Sequence, residues 1–165
     1  MPRTTRAAVI AAIAAITATL AAALGAAAAL AAVRAPDFAG REVFKIVSRV
    51  PGPAHPVAYA SGAFTAKGYL VRKRSALVFP KGTIVVRRSV QQTTFYPPDL
   101  ETCRFKIVQR GSFRVTRATE RYRGLRDSGG FVTTLHGRLR QTGGDRCGRT
   151  IVSRRTVTYE IGRAR

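Results

Sequence analysis

Residues 103–117 read CRFKIVQRGSFRVTR. Phe105, Ile107, Gly111, Phe113 and Val115 fall on one parity, and Arg104, Lys106, Arg110 and Arg114 fall on the other. Successive side chains of an extended chain point to opposite sides, so a period of two marks a strand with one buried face. The stretch predicts a β-strand with an apolar inner face and a basic outer one. That outer face is either a recognition surface for an anionic partner or the solvated wall of a small barrel whose function lies elsewhere.

The rest of the chain from Arg41 reads the same way. Glu42 to Val50 is a β-rich run closed by Pro51-Gly52-Pro53. In Val57 to Val71 the small residues Ala58, Ala60, Gly62, Ala66 and Gly68 share a parity with Phe64 and Leu70, while Tyr59, Thr65, Lys67 and Tyr69 take the other. Small inward residues suit a narrow barrel. Ala76 to Phe79 starts an element that Pro80-Lys81-Gly82 bends or ends, since proline removes a ladder hydrogen bond, and Tyr96-Pro97-Pro98-Asp99 closes the next one. Thr116 to Gly130 and Gln141 to Arg149 read as long connections. Phe131 to Leu139 alternates against Thr134, His136, Arg138 and Arg140. In Ile151 to Ile161, Ile151, Val157, Tyr159 and Ile161 share one parity and Arg154, Thr156, Thr158 and Glu160 the other. No stretch here has helical periodicity. The expectation is an all-β domain over residues 41–165, a small antiparallel barrel or sandwich of about seven strands.

If the opening strand pairs antiparallel with Phe131 to Leu139, Cys103 approaches the loop that holds Cys147, and these are the only two cysteines. The pairing predicts a Cys103–Cys147 disulfide, which in the chain-entropy account stabilises the fold by about 4 kcal/mol. The same pairing gathers Arg104, Lys106, Arg110 and Arg114 with Arg138 and Arg140 into one candidate anion-binding patch.

Ahead of this domain, Met1 to Arg6 carries Arg3 and Arg6, and Ala7 to Val33 has no charged residue. A basic start followed by an apolar run is the pattern of a secretory signal peptide, expected to be helical over residues 1–31, with 32–40 as a linker. Ala29-Leu30-Ala31 offers the small residues a signal peptidase requires. The run also reaches the length of a membrane span, so an uncleaved anchor is the alternative. Export predicts a secreted or envelope-associated protein in an oxidising compartment, where paired cysteines bridge.

The net charge is +21, and loss of Arg3 and Arg6 with residues 1–31 lowers it by two to +19. Such a charge implies attraction to phosphate- or carboxylate-rich polymers and membranes, and self-repulsion that folding must overcome. Arg outnumbers Lys 24 to 5, so part of the basicity reflects composition rather than a binding role.

Ser61-Gly62-Ala63-Phe64-Thr65-Ala66-Lys67-Gly68, Val78-Phe79-Pro80-Lys81-Gly82-Thr83, Cys103, and Tyr122-Arg123-Gly124-Leu125 leading into Gly129 resemble a family of small exported actinobacterial β-barrel proteins of unknown activity, itself distantly similar to allene oxide cyclase and dirigent barrels. The resemblance covers most of residues 57–161. Ala118-Thr119-Glu120 stands where the family has a Gly-Thr-Gly turn. What the resemblance implies is a barrel and, as an alternative function, an apolar interior that binds or isomerises a small hydrophobic molecule. It carries no catalytic residue over to this chain.

Carboxylate pairs that could serve glycoside chemistry, Asp99 with Glu101 and Glu120 with Asp127, fall in expected turns, where acids cap backbone N–H groups. His55 and His136 lack a neighbouring nucleophile with an orienting acid, and neither has zinc-ligand spacing to the cysteines. Gly143-Gly144-Asp145 lacks the Lys-Ser/Thr ending of a phosphate loop. No catalytic residue, metal site or cofactor is assigned. The aromatics nearest the basic set, Phe105, Phe113 and Phe131, take the inward parity, which disfavours base stacking and specific nucleic-acid binding. The expected function is a non-enzymatic module that binds anionic cell-envelope polymers or lipid headgroups.

Overall fold

A computed structural model describes residues 38–143 and 146–165. The signal-peptide reading of 1–31 and most of the 32–40 linker lie outside the described residues. Eight strands follow in order: β1 (Gly40–Val50), β2 (Val57–Gly62), β3 (Ala66–Val71), β4 (Ala76–Phe79), β5 (Gly82–Tyr96), β6 (Arg104–Ala118), β7 (Asp127–Gln141) and β8 (Cys147–Ala164). Each pairs antiparallel with the next, and β8 pairs with β1, so a single sheet closes on itself. Closure leaves no free edge and replaces the sandwich alternative.

There are eight strands, not about seven. Val57 to Val71, which reads as one alternating run, folds as the β2–β3 hairpin. Ala58 opposes Gly68 and Ala60 opposes Ala66. Even-numbered residues thus meet even-numbered residues, and the alternation passes through the turn unbroken. The two long connections are also shorter than expected: β6 continues to Ala118, β7 begins at Asp127, and β8 begins at Cys147. Gly129 and Gly130 belong to a strand. Gly129 is required there for close approach, because a Cβ would stand 2.7 Å from the Gly162 Cα.

Hydrogen-bonded rows across the sheet show how the interior is filled. One runs Arg88, Phe113, Gly129, Gly162, Glu42, Gly62. The next runs Val90, Gly111, Phe131, Glu160, Phe44, Ala60, Ala66. Aromatic rings lie over glycines in both, since a Cβ on Gly111 would come within 2.8 Å of the Phe131 ring and one on Gly162 within 2.8 Å of the Phe113 ring. Bulk and absence of bulk alternate around the ring, which lets large aromatic rings pack in a narrow interior. Phe44, Leu77, Ile84 and Val86 are buried at its centre, and Phe38, just ahead of β1, packs with Phe64 and Tyr122 against them.

The long strands β5 to β8, of 15, 15, 15 and 18 residues, rise past the short β2 to β4, of 6, 6 and 4. At their far end Cys103 and Cys147 form the expected disulfide, with Cα atoms 5.5 Å apart. Asp99 organises the turn before it: its Oδ1 accepts from the Thr102 N–H at 2.8 Å and hydroxyl at 2.7 Å, which hold its carboxyl below the usual range.

Candidate functional site

The period-two reading of β6 is seen at both ends of the strand, while residues 106–109 are all half-buried. Phe105 and Phe113 are buried, Ile107 and Val115 are half-buried, and Arg104, Arg110 and Arg114 are exposed, with Lys106 half-buried. On β7, Arg138 and Arg140 are exposed. Ten residues separate Arg104 from Arg114, about 33 Å along an extended strand. The six cations therefore form a stripe and not one cluster, and its two ends differ in their neighbours.

At the disulfide end Arg104 lies directly opposite Arg138 on β7. Both line a depression of about 710 Å³ with Arg49, Arg154, Arg155 and His136. At the other end Arg114 lies opposite Arg87 on β5, and with Arg117, Arg126, Arg163 and Arg165 it lines a second depression of about 730 Å³, where Asp127 is the one carboxylate. Between them stand Lys106 and Arg110. Lys106 Nζ lies 5.1 Å from the Tyr96 ring centroid, and the outer face continues around the ring with Lys45 over Tyr159 at 5.6 Å and Lys67 over Tyr59 at 6.0 Å. Exposed tyrosines thus accompany the cations, a feature absent from β6 and β7 read by themselves. Each ring already carries an ammonium group over it.

The register imposes unfavourable pairs. Arg104 faces Arg138, Arg87 faces Arg114, Arg155 faces Arg49, and Arg163 faces Arg41. Like charges directly opposite one another on adjacent strands are destabilising. Among the described residues the one ion pair joins Arg88 Nε to Glu160 Oε1, and it is inside the ring.

That interior pair belongs to a polar group whose role the sequence reading missed. Glu42 and Glu160 are fully buried and Asp127 nearly so; Asp127 is the first residue of β7 and not a turn acid. On β8 the parity of Thr158 and Glu160 faces in, while Tyr159 and Ile161 are exposed. Glu42 Oε2 accepts from the Phe64 N–H at 3.3 Å, yet Glu42 Oε1, both Asp127 oxygens, Glu160 Oε2 and Arg88 Nη2 are buried without a hydrogen-bond partner. Burial pushes the Glu42 carboxyl up to about 7 and the Asp127 carboxyl up to about 6. It raises Glu160 as well, against the pull of Arg88. A visible signal existed for two of these. Glu42 shares its parity with Phe44 and Ile46, and Arg88 shares its parity with Ile84 and Val86, so each is a charge written into an apolar series.

Below this group the interior opens into a cavity of about 290 Å³ lined by Arg72, Arg88, Arg154, Ser48, Ser75, Thr156 and Thr158 together with Ile46, Pro56 and Leu70. Its wall is mixed: guanidinium and hydroxyl groups stand beside a larger apolar part. Comparison with protein-family models, with curated proteins and with solved structures found no match to this chain.

Proposed function

We propose that the protein is exported and acts as a non-enzymatic adhesive module, holding an anionic cell-envelope or surface polymer along its outer wall. The observation that carries this reading is the set of four directly opposed arginine pairs without an intervening carboxylate. The sheet bears a repulsion that a polyanion lying across the strands would relieve. The two arginine depressions at opposite ends of the β6 stripe suit an extended chain that touches both, a span that a single lipid headgroup does not cover. The disulfide accords with an oxidising compartment.

The alternative, a small hydrophobic ligand held or isomerised inside the barrel as the distant resemblance implies, draws less support. Phe44, Phe113, Phe131, Leu77 and Ile84 fill the closed part of the interior, and the pocket beneath sets three arginines among its apolar residues.

The reading is tested by replacing Arg104, Lys106, Arg110 and Arg114 with Ser and measuring binding to isolated anionic envelope polymer over a salt series. Each cation that displaces a counterion contributes about one to the slope of log affinity against log salt, so the slope should fall by up to about four. An unchanged slope overturns the proposal and leaves the stripe as a solvated wall.

A further inference from the structure

We infer that the half-open pocket lined by Arg72, Arg88 and Arg154 is a second anion site, built for one small phosphomonoester. It differs from the β6 stripe in being concave and walled by four segments far apart in sequence. Arg72 and Ser75 come from the turn after β3, Arg88 from β5, Arg154, Thr156 and Thr158 from β8, and Ser48 from β1.

The charge balance selects the ligand. Of the three guanidinium groups, Arg88 is neutralised by Glu160. Among the described residues Arg72 and Arg154 have no carboxylate partner, which leaves two uncompensated guanidinium groups on the pocket's lining. A phosphate monoester carries a charge of about −1.5 to −2 at neutral pH and offers three acceptor oxygens. A carboxylate would leave one arginine uncompensated. Arg72 Nη2 donates to Ser48 Oγ at 2.6 Å, which fixes one guanidinium at the rim. Ile46, Pro56 and Leu70 supply an apolar side. At about 290 Å³ the cavity sits at the lower limit of ligand sites, with room for the phosphate and a small organic remainder against that apolar side.

Ser75 offers a variant that separates binding from folding. Its backbone has φ 47°, in the left-handed region that favours glycine, and the turn is fastened from Ser75 N to Arg72 O at 3.1 Å and from Val86 N to Ser75 O at 3.0 Å. Glycine would relieve the strain, at the loss of the hydroxyl on the cavity wall.

The test uses the full chain and glycerol 3-phosphate, with inorganic phosphate, acetate and glycerol as comparison ligands, titrated calorimetrically at high salt to screen the outer wall. The expected result is saturable one-to-one binding of glycerol 3-phosphate, weaker binding of inorganic phosphate, and none of acetate or glycerol. Arg72→Gln with Arg154→Gln should weaken it at least about tenfold, since charge-assisted hydrogen bonds are lost. Ser75→Gly should weaken it while leaving the melting temperature equal or higher, so that lost binding cannot be ascribed to unfolding. The outer quadruple Ser variant should bind glycerol 3-phosphate as the parent does. No saturable binding by the parent, equal binding by the Arg72/Arg154 variant, or loss confined to the outer variant would each overturn the inference. None of these outcomes bears on the salt slope with polymer, so the two proposals fail separately.

Discussion

Among the buried acids Glu42, Asp127 and Glu160, the one paired cation is Arg88; on the outer wall arginines face arginines and the carboxylates are Asp99, Glu101 and Glu120 among the described residues. The two regions place their imbalance under different physics. Outside, water and salt screen each repulsion, and a pair of opposed arginines costs little. Inside, an ion must be paired or must give up its charge, and burial raises all three carboxylates. An equal excess of charge is thus cheap on one side of the wall and costly on the other. That contrast identifies where single substitutions should matter.

The largest effect should follow from breaking the interior pair. Arg88→Met leaves Glu160 buried without its cation, and removal of one partner of such a pair costs about 3–5 kcal/mol. The loss should be found by urea denaturation at pH 8 and shrink toward pH 4, where Glu160 takes up a proton. Arg88→Met with Glu160→Leu should recover most of it. A loss under about 1 kcal/mol for the single change at pH 8 would show that the interior is wet and that inside and outside obey the same rule.

A smaller, pH-bound effect is expected at Glu42. Its carboxyl titrates near 7 in the fold against an ordinary value of 4.5, so between those values the folded state holds a proton that the unfolded chain has released. The contribution to stability is therefore fully present below about pH 4.5 and is lost as pH rises through about 7. Asp127, raised to about 6, acts in the same direction. Glu42→Gln keeps an oxygen for the Phe64 N–H and removes the ionisation. It should leave stability unchanged at pH 4 and raise it by about 1–3 kcal/mol at pH 8. Equal denaturation midpoints for parent and variant at both pH values would refute the assignment.

The same contrast explains what could be read from sequence. Strand periodicity is a local property, and it correctly placed Phe105 and Phe113 inside, the β6 cations outside, and Cys103 beside Cys147. Strand count failed at the β2–β3 hairpin, where Ala60 pairs with Ala66 and the turn leaves no break in parity. The interior acids were legible only by asking what a charge does in an apolar series, as with Glu42 beside Phe44. Glu160 could not be found this way, because its parity on β8 is threonine-rich and the opposite parity carries Tyr159 and Ile161. Only the register of β8 against its neighbours, which sets Glu160 opposite Phe131 and Phe44, decides which face is in. The cavity has no local signature at all, since its arginines and hydroxyls come from four separate segments.

The smallest effect on stability should come from the outer wall. Changing Arg104, Lys106, Arg110 and Arg114 to Ser removes four exposed or half-buried cations, two of which directly face arginines, and creates no buried cavity. Each opposed pair costs roughly 0.2–1 kcal/mol before screening. The loss of the Lys106 contact with Tyr96 works the other way by about 0.5–1 kcal/mol. The net expectation is a change within about 1 kcal/mol, toward greater stability at low salt, and as salt screens the repulsion the variant should lose that advantage and fall level with or slightly below the parent. Thermal denaturation of both proteins at low and high salt measures it. A loss of more than about 2 kcal/mol that persists at high salt would mean that these side chains pack rather than repel, and would remove the electrostatic distinction between wall and interior.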